Sequence, residues 1–70
     1  MRYALLKARK SNGMSVSEIS KLLGISASFY YKIESGIRNP TINLAKQISA
    51  LLDSDIDTLF FAVNLDELSS

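Results

Sequence analysis

The sequence predicts an all-α fold of five short helices, and three observations predict it. Apolar residues recur at three- and four-residue spacing, and no stretch alternates with the two-residue period of a half-buried strand. Gly13, Gly24 and Gly36 each follow a helical pattern and none falls inside one, which marks each as the residue just beyond a helix end. Ser15, Ser26 and Thr41 stand immediately ahead of helical patterns, where a hydroxyl caps the free N–H groups of a first turn.

Residues 1–12 form the first expected helix. Leu5, Ala8 and Arg9 share a face, which sets a guanidinium beside the buried stripe, while Arg2, Lys7 and Lys10 are expected elsewhere on the surface. Ser15 opens the second helix, and Ser15-x-x-Glu18 has the spacing of a capping box. Its inward stripe is Ile19 with Leu22 or Leu23. Gly24 ends it, Ile25 plugs the turn, and Ser26 caps a third helix running from Ala27 to about Ser35. Tyr30, Ile33 and Glu34 fall on the inward stripe of that helix; Ser28, Tyr31, Lys32 and Ser35 fall opposite. Pro40 closes the following loop. Thr41 caps a fourth helix over residues 42–52, with Ala45, Ile48, Ser49 and Leu52 inward. A short fifth helix over residues 56–61 turns Ile56, Leu59 and Phe60 to one side, with Asp55 or Ser54 as its cap.

Two helices of about two turns joined at a glycine cannot bury themselves alone, and such a unit usually sets its second helix in the DNA major groove. The segments Gly13-Met14-Ser15, Ile19-Ser20-Lys21-Leu22-Leu23-Gly24-Ile25-Ser26 and Ile33-Glu34-Ser35-Gly36-Ile37-Arg38-Asn39-Pro40 carry a resemblance. They look like the lambda-repressor-like helix-turn-helix domain of the XRE family of bacterial and phage regulators, over roughly residues 5–60. The resemblance implies a five-helix DNA-binding domain at residues 1–61, with residues 62–70 a short tail that is a candidate part of a dimer interface. The chain departs from the family in two places. Val16 stands where the family often has Gln, and Ala27, Phe29, Tyr30 and Tyr31 occupy a stretch that is usually polar or basic. The base preference therefore does not transfer.

Composition agrees with this reading. Hydrophobic residues make up 47% of the chain, enough for a globular core and too many for a disordered segment. With no cysteine and no histidine, no disulfide or ordinary zinc site is expected, and the commonest nucleophile and general base are missing. We expect no enzyme, no cofactor, no metal and no membrane partner, and a cytoplasmic location. The net charge of +1 hides an asymmetry: residues 1–46 hold eight cations and two acids, a balance of +6, and residues 47–70 hold five acids and no cation. A positive field over the helix-turn-helix half favours a polyanion there.

Phosphate contacts are expected from the start of the second helix, at Ser15 and Val16, and from the loop at Ser35, Gly36, Arg38 and Asn39. By resemblance to family positions, base reading falls to Ala27, Ser28 and Lys32, with Tyr31 a further candidate. Arg9 and Glu34 carry opposite charge on facing inward stripes and are expected to pair, because neither tolerates burial alone. Phe60 and Phe61, about 100° apart on a helix, cannot both enter so small a core. Leu59, Phe60, Phe61 and Val63 are therefore the expected interface of a homodimer, which the resembled family often builds at this end. The expected function is sequence-specific binding of double-stranded DNA as a dimeric repressor on a palindromic operator. The alternative is a protein-interaction module of the same fold, such as an antitoxin or adaptor.

Overall fold

The computed structural model describes residues 1–61. Val63 and the expected tail at 62–70 lie outside the described residues. The helices are α1 (Tyr3–Ser11), α2 (Val16–Leu23), α3 (Ala27–Ser35), α4 (Ile42–Leu51) and α5 (Asp57–Phe61). The first begins two residues later than the sequence suggests, and the fifth has the wider π-type winding rather than a regular α turn. Side-chain oxygens of Ser15, Ser26 and Thr41 cap α2, α3 and α4, each accepting from the N–H three residues on. At α2 the box is complete, since Glu18 in turn accepts from the Ser15 N–H at 3.3 Å.

Helices α1, α2 and α4 end alike. Ile25 N–H donates to Ser20 O at 3.0 Å and Gly24 N–H to Lys21 O at 3.2 Å, a paired closure that satisfies two carbonyls at the end of α2. It requires a left-handed residue, which Gly24 supplies at φ 72°. At the end of α4 the same closure uses Ser54 N–H to Ser49 O and Asp53 N–H to Ala50 O. There Asp53 takes the left-handed place at φ 50°, the sole non-glycine at positive φ among the described residues. Asp53 there performs the work of a fourth glycine.

The core gathers Leu5, Ile19, Tyr30, Ile33, Ile48, Leu52 and Leu59. Helix α3 packs against α2 and α1, α4 against α2, and α5 lies along α1. Leu23, not Leu22, joins the α2 stripe; Leu22 is 63% exposed. Buried Ser20 and Ser49 return their hydroxyl protons to Val16 O and Ala45 O in their own helices, so they let helices approach without leaving a polar group unpaired.

One polar network crosses this core. Arg9 donates from Nε and Nη2 to the two Glu34 carboxylate oxygens, each at 2.9 Å, and from Nη1 to Met14 O at 2.8 Å. The Tyr30 hydroxyl donates to Glu34 Oε2 at 2.7 Å. Burial raises the Glu34 carboxyl, but hydrogen bonds from Arg9 and Tyr30 and the nearby positive charge outweigh it and hold the carboxyl below its ordinary value. The same contacts raise Arg9, with the Glu34 hydrogen bond first among them. Burial, then the bond to Glu34, pushes the Tyr30 phenol far up, so it stays a donor.

Arg9→Ala strands a buried carboxylate and is expected to cost about 3–5 kcal/mol of unfolding free energy, measured by urea titration at neutral pH. A loss under half of one kcal/mol would show the pair to be dispensable. Because the folded carboxyl sits below its unfolded value of about 4.3, its contribution is complete above that pH and drains away as pH falls through the folded value. Glu34→Gln should therefore flatten the acid limb of the stability curve. Asp53→Gly is expected to gain about 0.5–1 kcal/mol by relieving the left-handed strain, read as a rise in melting temperature.

Candidate nucleic-acid interface

The rotation of α3 about its axis is fixed from within. Tyr30 and Ile33 are fully buried and Glu34 is tied to α1, so the opposite face must point out. Ser28, Tyr31 and Lys32 are exposed on it, and Ala27 is exposed at the first position of the helix. They offer a methyl, a hydroxyl, a phenol and an ammonium, a set able to meet base edges by apolar contact and hydrogen bonding. Phe29, between the two faces, is half-buried and packs against the core.

The phosphate-binding expectations need correction in detail. At the start of α2, the Ser15 N–H is already bonded to the Glu18 carboxylate, and an anion brought there meets that negative charge. The Val16 N–H keeps no partner among the described residues, while its side chain is half-buried against the core. Ser35 is half-buried, and its hydroxyl proton goes to Lys32 O at 3.1 Å, so it is not a free donor. The Gly36 N–H is bonded to Ile33 O and the Arg38 N–H to Lys32 O, each at 3.1 Å, so neither amide is open to phosphate. Gly36 is required for its φ of 89° rather than for close approach. Asn39 lends its Oδ1 to Arg2 at 2.6 Å, which leaves its amide nitrogen as the outward donor. The Arg38 side chain is exposed.

Arg2 is the residue sequence reading missed. It is half-buried, and its guanidinium donates to Ile33 O at 2.6 Å, Arg38 O at 3.1 Å and Asn39 Oδ1 at 2.6 Å. Its own N–H donates to Glu34 O at 2.8 Å, and the Phe60 ring lies 5.8 Å from the guanidinium carbon. Its hydrogen-bond partners lie 31 to 37 residues away, beyond any periodicity argument. Arg2 and Arg9 are thus committed internally, and Lys7, Lys10, Lys21, Lys32, Arg38 and Lys46 remain as exposed cations.

The expected dimer residues divide. Leu59 is 3% exposed and belongs to the core against α1, so it is not available to a second subunit. Phe60 is half-buried against the core and covers Arg2. Phe61 is 55% exposed. Among the described residues, no cluster of His, Cys, Asp or Glu side chains could hold a metal ion, and no helix is long and apolar enough to cross a membrane.

Comparison with known proteins agrees with this geometry. The helix-turn-helix family profile matches residues 5–59. The HTH-type transcriptional regulator SlrR of Bacillus subtilis (strain 168) is 36% identical over 55 residues, 77% of this chain and 36% of that protein. SinR of the same organism, also named an HTH-type transcriptional regulator, is 36% identical over 52 residues, 73% of this chain and 47% of its own length. This chain thus spans less than half of either relative. A shorter relative, the uncharacterised HTH-type transcriptional regulator YqaF, is 36% identical over 61 residues, 87% of this chain and 79% of that protein. No solved structure matches the chain significantly. A profile that spans α1 to α5 and relatives named as regulators, rather than enzymes, lead to one assignment: the chain belongs to the XRE family of helix-turn-helix transcriptional regulators.

Proposed function

We propose that this chain binds double-stranded DNA sequence-specifically, with α3 in the major groove, and represses transcription from a palindromic operator as a homodimer. The observation that carries the reading is the locked rotation of α3, which leaves Ser28, Tyr31 and Lys32 outward, beside exposed Ala27 at the helix start, while Tyr30, Ile33 and Glu34 are held within. Lys32 donates to guanine O6 and N7, and Ala27 rests against a thymine methyl. Arg38, the Asn39 amide nitrogen and the Val16 N–H meet phosphate and set register without reading sequence.

Six exposed cations give a modest grip, and one domain reads only a few base pairs, which favours two copies on half-sites roughly 34–36 Å apart. Exposed apolar residues support an interface at one end of the molecule. Met1 and Tyr3 flank Arg2, Ile37 flanks Arg38, and Phe61 follows Phe60; all four side chains are more than half exposed, beside residues that Arg2 joins. Such residues scattered singly mean little, but as sequence neighbours of residues that Arg2 brings together they suit a partner.

Selection of bound sites from random DNA should return a two-fold symmetric motif; recovery of no motif would favour a protein-interaction role for this fold. Lys32→Ala is expected to weaken operator binding by about 1–3 kcal/mol while leaving non-specific binding nearly unchanged. Arg38→Ala should weaken all sequences alike and lower the salt slope by about one. Equal losses on operator and random duplex for Lys32→Ala would reassign that lysine to phosphate. In sedimentation, Phe61→Ser should shift the protein toward monomer; a wild type still monomeric on its operator would refute the dimer.

A further inference from the structure

The loop between α3 and α4 holds Arg38 and Asn39, and the side chains of Ile37, Arg38 and Asn39 are all exposed. Its anchor comes from the other end of the chain. We propose that Arg2 is the positioning residue of this loop, presetting Arg38 and Asn39 for the DNA backbone; the proposal rests on the DNA-binding reading above.

The geometry is specific. The Arg38 main chain is held on both sides, its N–H by Lys32 O at 3.1 Å and its carbonyl by Arg2 Nη1 at 3.1 Å. Its exposed side chain therefore starts from a fixed point. Arg2 Nη2 takes Asn39 Oδ1 at 2.6 Å and so turns the amide nitrogen away from the protein. The same Nη1 reaches Ile33 O at 2.6 Å, a terminal carbonyl of α3, where a positive charge also complements the helix dipole. One guanidinium thus ties the end of the recognition helix, the loop backbone and a loop side chain together. Phe60 lies over the group at 5.8 Å, half-buried, and restrains it from swinging out. Among the described residues the one ion pair is that of Arg9 with Glu34, and none of their carboxylates pairs with Arg2. A lysine would keep the charge, but its single ammonium lacks the planar fork that spans three acceptors.

Presetting matters because ordering a loop on binding draws on the binding free energy, whereas a loop already ordered does not. Arg2→Lys separates this role from a simple charge effect. Affinity for a mixed-sequence duplex, measured by fluorescence anisotropy across a salt series below the melting temperature of every variant, is expected to fall about five- to tenfold in Arg2→Lys. In an Arg38→Gln background the same change should cost less than about twofold, because Arg2 acts through Arg38. Amide exchange should speed up at Arg38 while α2 stays protected. Should Arg2→Lys fail to fold, Phe60→Leu replaces it, with an expected fall of about two- to threefold that also shrinks in the Arg38→Gln background.

An unchanged affinity in Arg2→Lys beside a weakened Arg38→Gln would overturn this proposal alone. Fully additive losses, with the salt slope of Arg2→Gln in the Arg38→Gln background dropping by a further unit, would make Arg2 a direct phosphate contact and also overturn it. A wild type that ignores duplex at low salt would remove the DNA-binding reading itself.

Discussion

The two-point bond between Arg9 and Glu34 is the contact on which the rest of the structure depends. Three donors converge on one carboxylate, two from α1 and one from Tyr30 on α3 itself. A third nitrogen of the same guanidinium holds Met14 O, in the turn that leads into α2. A single buried group therefore indexes three consecutive helices against each other. Apolar side chains of equal volume can fill such a space as stably, since desolvating an ion pair offsets much of its attraction. What they would not supply is direction: a nine-residue helix resting on aliphatic contacts alone can rotate by a fraction of a turn at little cost, and α3 would then present a different face.

Arg2 applies the same logic to the main chain at the C-terminal end of α3. Arg9 meets the helix at its inward side chain Glu34, and Arg2 meets the carbonyls of Ile33 and Glu34 through its guanidinium and its backbone N–H. Two arginines from the first nine residues thus hold α3 in rotation and at its C-terminal end. Neither is free for DNA. The charge asymmetry of the sequence is real, but a quarter of its cations are structural, so the positive field over the helix-turn-helix is built from six exposed groups rather than eight.

Much of this was legible in the sequence because it is local. Caps at Ser15, Ser26 and Thr41, the glycine stops, and the buried stripes of α1, α3 and α4 all follow from residues within one or two turns of each other. The facing of Arg9 and Glu34 was legible too, since an opposite charge on each of two buried stripes has few other places to go. Long-range contacts were not legible. Arg2 looks like surface at the start of a helix, and only the folded chain brings Asn39 and Phe60 to it. Asp53 hid for another reason: a left-handed residue that is not glycine leaves no mark in composition. The choice between Leu22 and Leu23 rested on a rotation that a two-turn helix does not fix by periodicity alone. Leu59 was misplaced by counting the fifth helix as spare surface, when its burial along α1 completes the core.

The occupied amides also redistribute the nucleic-acid interface. A helix start with an unpaired first turn attracts phosphate, but at α2 Glu18 has already answered the Ser15 N–H and brought a negative charge. The loop after α3 has spent the Gly36 and Arg38 amides on its own turn. On the proposed DNA-binding reading, backbone contact then leans on side chains, chiefly Arg38 and the Asn39 amide, on the C-terminal side of α3. On the same reading, base recognition leans on the N-terminal and outer side of that helix, where one ammonium, one hydroxyl, one phenol and one methyl are exposed. So few groups distinguish few bases, each good pair being worth about 1–3 kcal/mol of discrimination. Selectivity across a genome then has to come from repeating the reading, and it is the fixed rotation of α3 that would make two copies read the same bases at a set spacing.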